Sequence, residues 1–264
     1  MAHTIAIANQ KGGVGKTTTT INLATALAAA GKRVLIIDLD PQANASTGLG
    51  LTKQNRIISV YGLIIGEYTL AQALIKTSIP GLSIIPSTID LLGAEVELVD
   101  MQNRERRLKE ILTPYEAMFD YVLIDCPPSM GLLSLNSLVA ADSVLIPLQC
   151  EYYALEGLSY LLGSIQKIKK NLNPNLDLYG IVLTMFDKRS SLCQMVATDV
   201  RNYLKDKVFD TIIPRNTKVS EAPSHGKPVL LYDFKSPGSQ AYMSLAKEIL
   251  LRDRKHDSYR IKAS

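Results

Sequence analysis

Residues 9–20 read NQKGGVGKTTTT, a bend of three glycines between two lysines with four threonines behind it. Glycines 12, 13 and 15 let the backbone turn its N–H groups inward, and a helix starting behind them adds positive potential. That combination is a cradle for phosphate. Lys16 belongs against a β- and γ-phosphate, the Thr17 hydroxyl on Mg²⁺, and Thr18 near an α-phosphate. The stretch fits G-x-x-x-x-G-K-[ST] except at its first position, where Gln10 stands. The variant reads K-G-G-x-G-K-T, with Lys11 ahead of the glycines and Val14 among them. Gly12, Gly13, Val14, Gly15, Lys16, Thr17 and Thr18 form a candidate ATP-binding loop. One lysine suffices to hold a phosphate, so Lys11 needs another explanation.

Carboxylates complete the chemistry. LIIDLDPQANASTG (35–48) brings Asp38 and Asp40 to the C-terminal end of a strand, where open α/β sheets bind ligands. Asp40 is the residue expected to position or deprotonate an attacking water. An aspartate near its ordinary pKa of ~3.9 is a weak base at neutral pH, so turnover is expected to be slow without a partner. Asp38 is expected to act on Mg²⁺ from behind, and Gln42 to sense the γ-phosphate. In YVLIDCPPS (121–129), four apolar or aromatic residues precede Asp125. This is a Walker B pattern, weak alone and strong beside the glycine-rich loop, and it gives Asp125 a water-mediated hold on Mg²⁺.

These residues need a sheet to hold them. TIAIAN (4–9), RVLIID (33–38), LSIIPS (82–87), YVLIDC (121–126), SVLIPL (143–148), LYGIVLTMF (178–186) and VFDTIIP (208–214) read as strands. They are continuously apolar, as strands covered on both faces are. Helical patterns run over 17–30 (ending at Gly31), 89–112, 155–172, 191–205 and 239–251. The alternation predicts an α/β fold, a mostly parallel sheet with helices on both faces. No Pro-, Gly- or Ser-rich linker divides the chain, so one domain over 1–252 is expected, followed by a basic, frayed tail over 253–264.

Composition narrows the class. The chain has 264 residues, 47% hydrophobic and 20% charged, within globular limits. No apolar segment approaches the roughly 18 residues of a membrane helix, and the N-terminus carries no leader pattern. Three cysteines, Cys126, Cys150 and Cys193, are unpaired in spacing and read as reduced thiols of a cytoplasmic protein. A net charge of +4 proves no nucleic-acid partner. Its distribution leans C-terminal: nine Lys/Arg against six Asp/Glu over 185–235, and five against two over 251–264. Neutralising DNA phosphates needs such cations, and Lys188, Arg201, Lys205 and Arg215 are candidates. No helix-turn-helix or aromatic-interleaved platform is evident, which argues against sequence-specific reading. His225 in PSHGKP reads as a loop residue. Met185, Met195, Tyr152 and Tyr153 read as core or interface packing.

KGGVGKTTT resembles the deviant Walker A motif of the ParA/MinD ATPase superfamily, a P-loop NTPase fold. With LIIDLDPQANASTGLG, YVLIDCPPS and TIIPRNTKVSEAPSHGKPVLLYD the match covers nearly the whole chain and narrows to the small ParA/Soj partition ATPases. The resemblance implies that Lys11 reaches across a homodimer interface to the partner's ATP. It implies that backbone groups near Pro214 and the Asn216 side chain pack against adenine. It also implies nonspecific double-stranded DNA contacts at Arg189 and Lys218. A ParB-like centromere-binding partner, ATP and Mg²⁺, nucleoid association in the cytoplasm, and no stable membrane association follow from it. The loop opens about nine residues in, so no N-terminal DNA-binding extension is expected.

Three rivals share these motifs. A MinD-like membrane-cycling ATPase would need a bulky apolar face on its last helix, whereas LLRDRKHDSYRIKAS has two leucines and then mostly polar residues. An iron–sulfur reductase would ligate its cluster through Cys126 and Cys150, which no glycine-flanked cysteine pattern accompanies. A metabolic synthetase would need a substrate pocket that the sequence does not reveal.

Overall fold

The structure, a computed structural model, describes residues 2–263, with side chains through residue 254. Its centre is one eight-stranded sheet in the order β3-β4-β2-β5-β1-β6-β7-β8. The strands are β1 (His3–Ile7), β2 (Val34–Asp38), β3 (Ile75–Lys76), β4 (Leu82–Ile85), β5 (Tyr121–Asp125), β6 (Ser143–Gln149), β7 (Asp177–Phe186) and β8 (Val208–Pro214). All seven expected strands form. The eighth, β3, is two residues long and the one antiparallel member, too short for periodicity to reveal.

Alternate residues of each strand serve opposite faces, as the pleat dictates. Ile5 and Ile7 of β1 pack in one apolar cluster, Ala6 and Ala8 in the other. The first face is covered by α1 (Lys16–Ala29) and α12 (Pro237–Ala263), through Leu23, Leu27, Tyr242, Leu245 and Ile249. Each fully buried leucine there contributes about 1.5–3 kcal/mol. The second face takes α3 (Val60–Ile65), α4 (Leu70–Ala73), α5 (Leu91–Glu97), α6 (Arg107–Leu112), α7 (Leu132–Ala140), α8 (Ala154–Asn171) and α9 (Ser191–Leu204). Short helices α2 (Asn44–Gly48), α10 (Thr217–Glu221) and α11 (Val229–Tyr232) lie in the connections.

Two helical expectations change. The single helix expected over 89–112 is two, α5 and α6, separated by a turn at Leu98–Asp100 and by Asn103 in the left-handed region. Leu91 on α5, Leu98 in the turn, and Leu108 and Leu112 on α6 all bury, which a straight rod would not achieve. The last helix runs on from the expected end at Leu251 to Ala263. Asp253, first residue of the expected tail, accepts hydrogen bonds from Tyr121 (2.6 Å) and Tyr179 (2.8 Å) and pairs with His3. The packed body therefore reaches at least that residue. Residue 264 and the side chains from 255 onward lie outside the described residues.

The outer edge of β8 is sealed by the same helix. Glu248 accepts the backbone N–H groups of Asp210 (2.9 Å) and Thr211 (3.0 Å), and Arg252 donates to the Val208 carbonyl at 3.3 Å. Functionally, the central strands matter most. After β1 the chain winds to β2 on one side, and after β5 to β6 on the other. This reversal opens a crevice at the C-terminal ends of the strands, where such sheets bind ligands.

Candidate functional site

The bend after β1 crosses that crevice. Gly13 and Gly15 have φ of +75° and +91°, values that a side chain would strain, and α1 begins at Lys16. A cleft of about 580 Å³ opens above it. Gly12, Gly13, Gly15, Lys16, Thr17 and Thr18 form its floor, Asp40 and Gln42 one wall, and Pro214, Arg215 and Asn216 another. Three segments far apart in sequence thus converge. Val14 is not exposed to the cleft: it is buried, and its carbonyl accepts the Thr184 hydroxyl at 2.8 Å. That bond pins the loop to β7.

Lys16 is buried at the helix start, and its Nζ donates to the Lys11 carbonyl at 3.4 Å. Burial pushes its pKa down, against the pull of nearby Asp125, Cys126 and Asp40. A cation only partly neutralised by its neighbours suits a multiply charged anion.

The carboxylates separate by environment. Asp38 and Asp125 end adjacent strands in register and are fully buried beneath the cleft. Asp38 Oδ2 accepts Ser46 N (2.8 Å) and Ser46 Oγ (2.6 Å). Desolvation outweighs those bonds and raises Asp38 to about 6. Asp125 Oδ1 accepts the Thr20 hydroxyl at 3.2 Å, while its Oδ2 is buried with no hydrogen-bond partner. Burial, then the charge of Asp38, raises Asp125 well above the usual carboxylate range. Asp40 instead faces the cleft, with Oδ1 accepting Gln42 N at 2.9 Å.

An orphaned carboxylate oxygen beside the first-turn threonines of α1 is a fit for a hard cation. Among the described residues, no group of three or more His, Cys, Asp or Glu could hold a metal by itself. Mg²⁺ keeps several waters and takes phosphate oxygens, so one or two carboxylates suffice to hold it. Cys126 and Cys150 are buried thiols, each pushed up to about 12 by burial, the environment of packing cysteines.

Lys11 does not line the cleft. Its side chain turns outward to the Glu151 carboxylate, just beyond β6. Asn216 caps α10, its Oδ1 accepting Val219 N at 3.3 Å, and Pro214 ends β8 beside Phe186 of β7. The basic candidates divide. Lys188 and Arg189 follow β7, while Arg215 and Lys218 follow β8, so these four share the C-terminal end of the sheet. Arg189 chelates Asp187, drawing that carboxyl down to about 2, and Lys218 pairs with Glu221 at 2.9 Å. Arg201 and Lys205 close α9 at the opposite end, where Arg201 donates to the Phe209 carbonyl at 3.0 Å.

Sequence reading missed several members. Tyr242 of α12 lines the cleft, and its hydroxyl shares a hydrogen bond with Thr19 at 3.3 Å. Met185, read as packing, sits on the cleft wall at φ +48°. Ser46 and Glu151 were equally unmarked. Ser46 follows Asp38 at eight residues, the one spacing that could have flagged it.

Known proteins resemble this chain over nearly its whole length. A family model described as an AAA domain matches residues 2–178. The chromosome partitioning protein ParA of Caulobacter vibrioides is 55% identical over 252 residues, 95% of this chain and 94% of the relative. The sporulation initiation inhibitor protein Soj of Bacillus subtilis is 51% identical over 249 residues, 94% and 98% of the two chains. Among solved structures, cobyrinic acid a,c-diamide synthase of Mycobacterium smegmatis with a bound ATP analogue and magnesium is 38% identical, with a TM-score of 0.84 over 97% of this chain and 96% of that one.

Proposed function

The chain belongs to the ParA/Soj family of chromosome-partitioning proteins, and from that premise we propose a Mg²⁺-dependent ATPase whose ATP-bound homodimer coats double-stranded DNA nonspecifically. Hydrolysis, stimulated by a ParB-like centromere-binding partner, releases it. The observation that carries this reading is the division of labour between two lysines. Lys16 serves its own cleft, and Lys11 projects out of it. A cation aimed away from its own loop is available to a triphosphate on a facing copy, which would make ATP part of the subunit interface.

Within the cleft the residues supply binding and orientation. Backbone N–H groups of residues 12–18 and the α1 N-terminus receive phosphate charge. Lys16, at the floor of the cleft, neutralises the β- and γ-phosphates. The Thr17 hydroxyl and the carboxylates of Asp125 and Asp38 would hold Mg²⁺, which when bound offsets the charge of the two terminal phosphates. Asp40, open to the cleft and fixed by Gln42 N, orients the attacking water and takes its proton. Adenine packs against Pro214 and Asn216. Lys188, Arg189, Arg215 and Lys218 form one basic end that meets DNA phosphates, while Arg201 and Lys205 lie at the opposite end, away from it.

DNA binding with ATP, ADP and no nucleotide tests the reading. Wild-type binding that requires ATP, lost in Lys16→Ala and prolonged in Asp40→Ala, is expected. Equal affinity in all three nucleotide states overturns it.

A further inference from the structure

The path of Lys11 is set at four points. Its N–H donates to Asn9 Oδ1 at 3.0 Å, and its carbonyl accepts Lys16 Nζ at 3.4 Å. Asn9 is itself tied down, its Nδ2 donating to the Pro147 carbonyl of β6 at 2.8 Å. The fourth point is the ion pair of Lys11 Nζ with Glu151 Oε2. Glu151 stands on a fixed platform between β6 and α8, its N–H bonded to the Gln149 carbonyl and its carbonyl to Ala154 N, both at 2.9 Å. The two side chains are 46% and 44% exposed, so water and salt weaken the pair.

We propose that Glu151 is the specificity-determining residue of the ATP-driven dimer: it competes for Lys11, so that a triphosphate on the facing subunit draws the lysine across and a diphosphate does not. The inference rests on the dimer reading above. In the free chain Glu151 holds Lys11 to the side of its own cleft. To cross the interface, Lys11 must exchange one anion for another. The gain then depends on how much more negative charge the nucleotide offers than one exposed carboxylate does. A terminal phosphate tips that balance. Were Glu151 absent, Lys11 would meet no competitor, and even a diphosphate would attract it.

The test compares the full chain as wild type, Glu151→Gln and Glu151→Ala by light scattering against protein concentration, with Mg²⁺ and either a non-hydrolysable ATP analogue or ADP. Both substitutions should lower the dimerisation midpoint with the analogue about three- to tenfold, since each dimer releases two weak pairs. Both should also bring a dimer fraction into view with ADP, where wild type stays monomeric. The same changes in a Lys11→Ala background should do nothing, and thermal midpoints and nucleotide affinity of the monomer should stay as in wild type. A wild-type dimer with unchanged midpoints in both variants overturns this inference alone, as does a shift that persists without Lys11. Wild type that remains monomeric with the analogue overturns the dimer reading and this inference with it.

Discussion

Asp38 and Asp125 stand side by side at the ends of paired strands β2 and β5, both beyond the reach of bulk water. Two carboxylates so placed repel each other unless a proton or cation lies close, and their location makes that repulsion sensitive to pH. Asp38 is raised from an ordinary 3.8 to about 6 in the folded chain. Folding therefore takes up a proton across that window. The group's contribution to stability is most favourable at the acid end and is lost as pH rises through about 6. Urea unfolding of wild type and Asp38→Asn from pH 4 to 7.5 should show the difference moving in the variant's favour as pH rises. A difference independent of pH rules this out.

Lys16→Ala removes a buried cation whose neighbours are acidic. Nucleotide affinity should fall at least a hundredfold, measured by fluorescence with a labelled ATP, because a charge-assisted contact in a desolvated site is lost. ATP-dependent DNA retention should vanish with it. A loss under about threefold removes Lys16 from the phosphate site.

The Thr184 hydroxyl holds the Val14 carbonyl across the base of the loop. Thr184→Val keeps the shape and deletes the donor, leaving a buried carbonyl unpaired. A cost of about 1–3 kcal/mol, or a fall in thermal midpoint of a few degrees, is expected. Nucleotide affinity should weaken alongside it, since the carbonyl belongs to the cradle. Unaltered stability and affinity would mean that water replaces the hydroxyl there.

Basic residues at the two ends of the sheet should behave differently. Arg189→Ala and Arg215→Ala should each weaken ATP-dependent DNA binding and reduce the salt slope of log K by about one. Arg201→Ala should leave the slope intact and lower stability, because its guanidinium serves the Phe209 carbonyl. The reverse pattern would move the DNA face to the other end of the sheet.

Asp253→Ala strips acceptors from the hydroxyls of Tyr121 and Tyr179 and a partner from His3. Unfolding free energy should drop by about 2–3 kcal/mol with nucleotide affinity unchanged. An unaffected midpoint would show that the last helix docks without this carboxylate.

How far these features could be read from sequence follows from where each signal resides. Strands such as VLIID and YVLID announce themselves because both faces are buried, so every position before the closing aspartate is apolar or aromatic. The phosphate loop is equally legible, since its function is carried by local backbone geometry. Two kinds of feature were hidden. One depends on neighbours distant in the chain: nothing in LQCEYY marks Glu151 until β6 is laid beside β1, and nothing marks Tyr242 until α12 crosses α1. The other depends on burial: Asp38 and Asp40 are two residues apart and chemically alike, yet one is sealed under Ser46 and the other open to the cleft. Spacing cannot distinguish them, while the groups that surround each in the folded chain do.

The closed margins of the sheet limit how copies of this chain can meet. One border is a two-residue strand ending in Lys76; at the other, Glu248 and Arg252 bond three peptide groups, Asp210 N, Thr211 N and Val208 O. Neither offers a ladder for another molecule to extend. Association by strand addition, the route to uncontrolled fibres, is disfavoured at both borders.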